Sequence, residues 1–283
     1  MSHPHLTPAI IAVVIGAGAL HASWNAITKQ VTDRLMAFAW IGVASTMIGA
    51  LVLGFTGLPY RTAIPFAACS AVIHIAYDLA LMNSYRLGAF NQTYPIARGT
   101  SPLLVAVGAY LLAGERLSAP ALLGIATLAA GLMSLALSGG RLTRQDVPAV
   151  GAAVLTGVTI AAYTLVDGLG VRQAHDPWAY TALLFLLQGP PLTIAAAIRR
   201  PAAAWRERPT ITRGLLAGLL SVAAYGIVLW AQTKAPLAEV AAIRETSVVF
   251  AALIGFLVLG EDFGKRRVVA AMVIAAGIVL IGV

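Results

Sequence analysis

Two arginines stand inside long apolar stretches, at matching places 146 positions apart. Arg98 lies near the middle of residues 89–115, and Arg244 occupies the same place in residues 235–261. A charge near the centre of a bilayer costs at least about 2.5 kcal/mol. Guanidinium groups bind carboxylates or phosphates through paired hydrogen bonds. The two arginines therefore predict a substrate site for a molecule that carries an acidic group.

The shift that pairs the arginines also aligns identical neighbours without a gap. The aligned residues are Ala89 with Ala235, Thr100-Ser101 with Thr246-Ser247, and Gly114-Glu115 with Gly260-Glu261. The alternative role for Arg98 is an ion pair, with Asp78 or Glu245, that locks two helices together. Glu115 and Glu261 end their stretches, and we interpret them as residues that cap helices and contact loops.

His74 and Asp78 lie four residues apart in the third apolar stretch, with Tyr77 beside them. A helix places residues at this spacing on one face. Because histidine titrates near neutral pH, such a pair inside the membrane would couple transport to protons. The alternatives are a hydrogen-bonded pair that only stabilises the bundle, or an Asp78 that neutralises an arginine.

Several polar and aromatic side chains are candidates for the wall of a ligand cavity. In the first apolar stretch, the i, i+3, i+4 spacing puts His21, Trp24, Asn25 and Thr28 on one stripe. The other aromatic candidates are Tyr77, Tyr94, Tyr163, Tyr225 and Trp230. Aromatic rings suit an amphipathic ligand, although the same rings also serve in ordinary packing. Asp167 lies near the predicted end of the sixth span, so we expect it at the membrane interface.

Composition places the chain among polytopic membrane proteins. Of the 283 residues, 59% are hydrophobic and 11% are charged, and the mean hydropathy is +0.86. A soluble domain has about 25% charged residues. The net charge of +8 comes mostly from short loops, so it does not indicate a nucleic-acid partner. No phosphate-binding loop, dinucleotide fingerprint or Cys/His metal pattern is present in the sequence. We therefore expect no catalytic residues, no metal and no cofactor. The expected partners are a small-molecule substrate and the lipid bilayer, and the chain would be a monomer or a homodimer.

The apolar stretches predict an all-α membrane protein with ten transmembrane helices. The predicted spans are 8–28, 35–56, 63–85, 89–113, 119–138, 147–168, 177–198, 213–233, 237–259 and 266–282. Five spans fall in residues 1–140 and five in 141–283. Because each half has an odd number of spans, the halves would form two inverted five-helix repeats. Pro95 and Pro102 flank Arg98, and we expect them to kink the fourth span and free carbonyls toward the cavity.

The loop charges predict an orientation. Of the seventeen basic residues outside the two apolar stretches, thirteen fall on one side of the predicted topology and four on the other. The four are Arg61, Arg116, Arg172 and Lys234. Both termini share the side with few charges, so the positive-inside rule places them outside the cytoplasm.

Five segments resemble the drug/metabolite transporter superfamily, specifically the EamA-type ten-helix transporters. They are LHASWNAITK (20–29), TYPIARGTSPLL (93–104), LLAGERLS (111–118), AAIRETSVVFAALIGFLVLGE (241–261) and the AAGIVLIG near the end. The resemblance implies a basket of ten helices in a bacterial inner membrane, with a central cavity lined by spans 1, 3, 4, 6, 8 and 9. It also implies metabolite movement without ATP, commonly amino-acid export. Relatives of this type would have cytoplasmic termini, opposite to the orientation that the loop charges predict.

Three classes of function compete. The leading hypothesis is a secondary transporter, an exporter of small amino-acid-like or carboxylate metabolites, that works by alternating access. In a variant of this hypothesis, the exported substrate is a small metabolite of a different class. A non-transporting structural or regulatory subunit would instead have its arginines satisfied by Asp78 and Glu245 and would have no cavity. An intramembrane enzyme would need a nucleophile or metal cluster, which the sequence does not offer.

Overall fold

The computed structural model describes residues 6–88, 90–136, 144–257 and 265–283. In these ranges nine segments are long and apolar enough to cross a membrane, and Val268–Ile281 is a shorter apolar helix. They correspond to the ten predicted spans, so the prediction of an all-α membrane protein is confirmed. The helices are α1 Pro8–Lys29, α2 Arg34–Thr56, α3 Ile64–Leu87, α4 Phe90–Ala113, α5 Ala119–Ala136, α6 Val147–Gln173, α7 Pro177–Arg199, α8 Arg208–Gln232, α9 Leu237–Arg244, α10 Ser247–Leu257 and α11 Lys265–Ile281.

The chain alternates between two faces of the bundle. We call the face on which α1 begins and α11 ends the terminal face. The opposite face, on which α1 ends and α2 begins, is called the basic face because it carries the loops with most of the basic residues. Large apolar side chains point outward between the two faces, for example Phe55, which is 84% exposed, and Ile198, which is 79% exposed. Lipid is the environment that such a surface requires, which identifies a multi-pass membrane protein.

The ninth span is interrupted near its middle. Helix α9 ends at Arg244, and α10 begins at Ser247 after Glu245 and Thr246. Short-range bonds continue the chain through the break, from Glu245 N to Ala242 O at 3.0 Å and from Val248 N to Glu245 O at 3.0 Å. Sequence analysis placed the irregular backbone in the fourth span, around Pro95 and Pro102. Helix α4 instead runs as one element with both prolines inside it, and the break lies next to the other arginine.

Close helix contacts depend on small residues, as is usual where no hydrophobic force acts between helices in lipid. Helices α5 and α11 approach at Gly124 and Gly277. A Cβ atom added to Gly124 would lie 2.6 Å from the carbonyl oxygen of Gly277, which is backbone and cannot move away freely. These glycines therefore set the distance between the two helices.

We expect the Gly124→Ala variant to lower the thermal unfolding temperature, because overpacking of this kind costs about 1–3 kcal/mol. The matched control is Gly151→Ala in α6, where an added Cβ meets nothing within 4 Å. The control should leave stability unchanged or raise it slightly, since alanine favours helix over glycine. Differential scanning fluorimetry of both purified variants measures the difference. Equal unfolding temperatures would show that α5 and α11 do not depend on this contact.

Candidate functional site

A cavity of about 750 Å³ opens between the helices. It reaches from the middle of the bundle toward the basic face, where Lys29 and Arg34 line its mouth. Most of the candidate residues from the sequence lie in its wall: His21, Trp24, Asn25, Thr28, His74, Tyr77, Asp78, Tyr94, Arg98, Tyr163, Tyr225 and Arg244. The cavity therefore collects residues from both halves of the chain.

Two oxygen acceptors hold the Arg98 guanidinium group. Its Nη1 donates to Glu245 Oε1 at 3.1 Å, and its Nε donates to the Tyr94 hydroxyl at 3.2 Å. The two charged side chains are 5% and 0% exposed. Of the two acidic partners expected for Arg98, Asp78 and Glu245, it is Glu245 that pairs with it. This buried ion pair joins α4 to the break in the ninth span, so Arg98 acts as an interhelical lock.

Arg244 lies in the same pocket but is less well bonded. Its Nη2 is 3.6 Å from Glu245 Oε1, too long for a hydrogen bond, and its side chain is 4% exposed. Among the described residues, neither Nε nor Nη2 of Arg244 has a hydrogen-bond partner. A buried charged donor without a partner is costly. Arg244 lines the cavity, although its Nε and Nη2 atoms are themselves buried.

His21 connects the first span to the arginine lock. Its Nε2 lies 2.6 Å from Arg98 Nη2, and its Nδ1 lies 3.3 Å from the Trp24 indole nitrogen. Both neighbours are donors, whereas a neutral imidazole has one acceptor nitrogen. The hydrogen bond from the Trp24 indole N–H occupies Nδ1, so the His21 side chain bridges Trp24 and Arg98.

Asp78 is a carboxylate in the cavity wall with no cation beside it. None of the ion pairs or hydrogen bonds found among the described residues includes this side chain. The neighbouring base, His74, does not pair with it. His74 instead contacts the carbonyl oxygen of Ser70 at 2.9 Å through Nδ1. The two residues that the sequence suggested as a pair are therefore separate features of the site.

Aromatic rings form one side of the cavity. The Tyr163 ring stacks on His74 with a centroid distance of 4.1 Å, and it meets Tyr77 and Tyr225 edge to face at 5.5 and 6.1 Å.

Asn25 lines the cavity, but its amide donates to the carbonyl of His21 at 2.8 Å. Trp230 does not lie where we expected it, in the cavity wall. Trp230 is absent from the cavity wall and packs against the main apolar core instead.

The interpretation of Asp167 as an interfacial residue is also wrong. Its carboxylate is fully buried, and it accepts hydrogen bonds from the hydroxyls of Tyr180 at 2.9 Å and Tyr225 at 2.6 Å. The cause of the error is the end of the sixth span. The prediction ended it at residue 168, whereas α6 continues to Gln173. Asp167 lies four residues after Tyr163, on the same helical face, and that spacing was the available signal.

A second network connects α4, α6 and α9 at the terminal face. Both oxygens of Glu115 accept from the backbone nitrogen of Leu237, at 3.0 and 2.9 Å, and Oε1 pairs with Arg172 at 2.8 Å. Arg172 also donates to the carbonyls of Gln232 and Ala235. We call this set of contacts the terminal latch. Glu115 thus caps a helix, as predicted, but the helix is α9; Glu261 lies outside the described residues.

We expect loss of the Glu115 charge to loosen the terminal face. In a Cys69→Ser background, a cysteine at the buried position of Ala235 would report opening through its reaction with a membrane-impermeant maleimide. Glu115→Gln should raise the labelling rate by about tenfold, since removal of a charge-assisted bond costs about 1.5–3 kcal/mol. Glu207→Gln, an exposed carboxylate near the basic face, is the control. If both variants label at the wild-type rate, the latch does not hold this face closed.

At the mouth of the cavity, the α1–α2 connection is tied to the end of α7. Asp33 accepts from Arg200 Nε at 2.6 Å and from the backbone nitrogen of Met36 at 3.3 Å. The hydrogen bond from Arg200 lowers the pKa of Asp33, so the pair stays ionised at neutral pH. Both partners are about one-third exposed, and such pairs contribute little to stability.

Comparisons with known proteins bear on the fold and on the C-terminal half. No curated protein matches the sequence at a significant level. One solved structure, described as "Crystal structure of protein", is similar with a TM-score of 0.74 and 16% identity, over 96% of this chain and 94% of that chain. At this identity the likeness shows the fold alone. Residues 147–283 match the model of the EamA-like transporter family. This similarity covers the five C-terminal spans, α6 to α11.

Proposed function

We propose that the protein is a secondary transporter that moves a small carboxylate or amino-acid-like metabolite through the membrane by alternating access. The observation that carries this proposal is the pair of unbonded donors on Arg244, buried in the wall of the cavity. A guanidinium edge with two free N–H groups fits a carboxylate.

Asp78 extends the proposal to a substrate with two charges. An unpaired carboxylate in the cavity wall would bind an ammonium group, while Arg244 binds the carboxylate of the same molecule. The rings of Tyr77, Tyr163 and Tyr225 would contact the apolar part of the ligand. A zwitterion brings no net charge into the membrane, which lowers the cost of its burial.

Alternating access requires halves that can move against each other around a fixed site. We infer that residues 1–140 and 141–283 are such halves and that they are inverted repeats. Arg98 comes from the first half, and Glu245 and Arg244 come from the second, so the lock lies at the boundary between them. Interrupted helices at this depth are typical of transporter sites, and α9–α10 has that form. By the loop charges, the cavity faces the cytoplasm, which suits an exporter.

The structural-subunit alternative has less support. It requires arginines that are fully satisfied by Asp78 and Glu245, and a bundle without a cavity. Arg244 is incompletely bonded, Asp78 contacts neither arginine, and the cavity holds about 750 Å³. These observations favour transport.

Counterflow in proteoliposomes tests the proposal. Purified protein would be reconstituted with a panel of unlabelled amino acids or dicarboxylates inside the vesicles, and uptake of each radiolabelled compound would be followed. We expect at least one compound with a carboxylate to accumulate transiently, and protein-free vesicles to show no accumulation. If the protein is folded and no carboxylate-bearing compound accumulates in the vesicles, the proposal is overturned.

A further inference from the structure

Asp167 is a buried acidic group that the proposed site does not use. It lies in α6, six residues before the end of the helix at the terminal face, or about 9 Å along the axis. It therefore lies between the cavity and the terminal latch. None of the ion pairs found among the described residues includes it. Among the described residues, hydroxyl groups donate hydrogen bonds to this carboxylate and His74 lies near it, which offsets its lost hydration.

Those hydroxyl groups come from three other helices. Tyr180 of α7 donates to one carboxylate oxygen and Tyr225 of α8 donates to the other. Ser70 of α3 lies beside the carboxylate and also contacts His74 Nδ1 at 3.2 Å. The charged form of Asp167 thus holds α3, α7 and α8 against α6, near the terminal face.

The same network reaches the cavity wall. Tyr225 and His74 line the cavity, and their rings meet at a centroid distance of 5.8 Å. The Tyr163 ring stacks on His74, meets Tyr225 edge to face and also lies near Arg244. A proton that enters from the cavity can therefore reach the Asp167 carboxylate through the hydroxyl of Tyr225 or the ring of His74.

We propose that Asp167 is a proton-binding site that links the protonation of the protein to opening of the terminal face. When one carboxylate oxygen takes up a proton, that oxygen becomes a donor. The tyrosine that faces this oxygen must then accept a hydrogen bond instead of donating one. Loss of the negative charge also weakens both hydroxyl contacts that hold the helices together. Deprotonation restores both hydroxyl contacts and the closed terminal face. The proposal rests on the proposed function for its role in transport, but the protonation and opening steps need no substrate.

Two measurements on the full-length, reconstituted protein test the proposal without a ligand. The first is infrared difference spectroscopy between neutral and mildly acidic pH, which detects the carbonyl stretch of a carboxylic acid as it forms. The wild type should show this band, and Asp167→Asn should lose the part of it that Asp167 contributes. Asp78→Asn and Glu239→Gln, at two other buried carboxyl groups, should keep that part. The second is labelling of a cysteine at position 235, in the Cys69→Ser background, from the terminal face. Labelling should rise by about fivefold on acidification in the wild type and should not change with pH in Asp167→Asn.

Controls separate Asp167 from the other groups that titrate nearby. Asp176→Asn makes the same chemical change at the N-cap of α7, and His175→Gln removes the ring that contacts Tyr60; both should keep the full pH response. His74→Gln removes the other base in the network and should slow the response without removing the infrared band. Tyr225→Phe keeps the ring but removes one hydroxyl donor, so it should make labelling fast at neutral pH. This variant replaces Asp167→Asn as the test if Asp167→Asn does not fold.

Failure of the proton site and failure of the proposed function give different results. A wild type with no carboxylic-acid band, or one whose labelling ignores pH, overturns the proton site even if counterflow succeeds. An Asp167→Asn variant with the wild-type pH response overturns it as well. If the band and the opening depend on Asp167 but no compound is transported, the proposed function fails and the proton site stands.

Discussion

Replacement of Glu245 by glutamine is expected to destabilise the protein by about 3–5 kcal/mol, the cost of leaving buried charges unpaired. Glu245 is the carboxylate between two arginines, 3.1 Å from Arg98 and 3.6 Å from Arg244, and all three side chains are at least 95% buried. Glutamine keeps the shape but leaves two cations facing each other. Thermal unfolding of the purified variant in detergent would measure the loss.

A charge-balanced double variant tests whether the loss is electrostatic. Glu245→Gln combined with Arg98→Gln removes one charge of each sign, and we expect it to recover part of the stability that the single change loses. Glu207→Gln supplies the baseline for removal of an exposed carboxylate. An unfolding temperature for Glu245→Gln equal to that of Glu207→Gln would show that the arginines do not need this counterion.

Replacement of Arg244 by glutamine is expected to remove transport while the protein remains folded. The change leaves the pair between Arg98 and Glu245 intact, with balanced charge, so stability should be close to that of the wild type. Binding should weaken about 10–100-fold, because a charge-assisted hydrogen bond contributes about 1.5–3 kcal/mol. Counterflow of the compound that the wild type transports, with unfolding temperature measured in parallel, gives both quantities.

Lysine at the same position distinguishes charge from geometry. Arg244→Lys keeps the positive charge but loses the planar pair of donors, so we expect an intermediate affinity. Arg206→Gln, an exposed residue on the basic face, should transport normally. Wild-type flux in Arg244→Gln would assign the substrate contact to other residues of the cavity.

The sequence was sufficient for the spans and for most of the cavity wall, since both follow from apolar length and from helical spacing. Arg98, Arg244 and Tyr163 were found because a charge or a polar ring inside an apolar stretch requires a reason. The different roles of the two arginines were not predictable. Both occupy matching places in their apolar stretches, and only the packing of Glu245 against Arg98 shows which of them is the better bonded.

Errors arose where the prediction depended on a helix boundary or on long-range packing. Asp167 was assigned to the interface because the end of α6 was placed five residues early. Trp230 was expected in the cavity because its helix lines the cavity, but its ring faces the apolar core. The break after Arg244 has no proline to mark it, whereas α4 accommodates two prolines within a continuous helix.

The short helix α9 has one further consequence. Its first residue, Leu237, is bonded to Glu115 of the terminal latch, and its last residue, Arg244, is the proposed ligand contact. Eight residues of helix form a stiff rod about 10 Å long, and every residue of this one is buried. We therefore expect a displacement at one end to move the other, so that a ligand pulling on Arg244 would also strain the contacts on the far side of the protein.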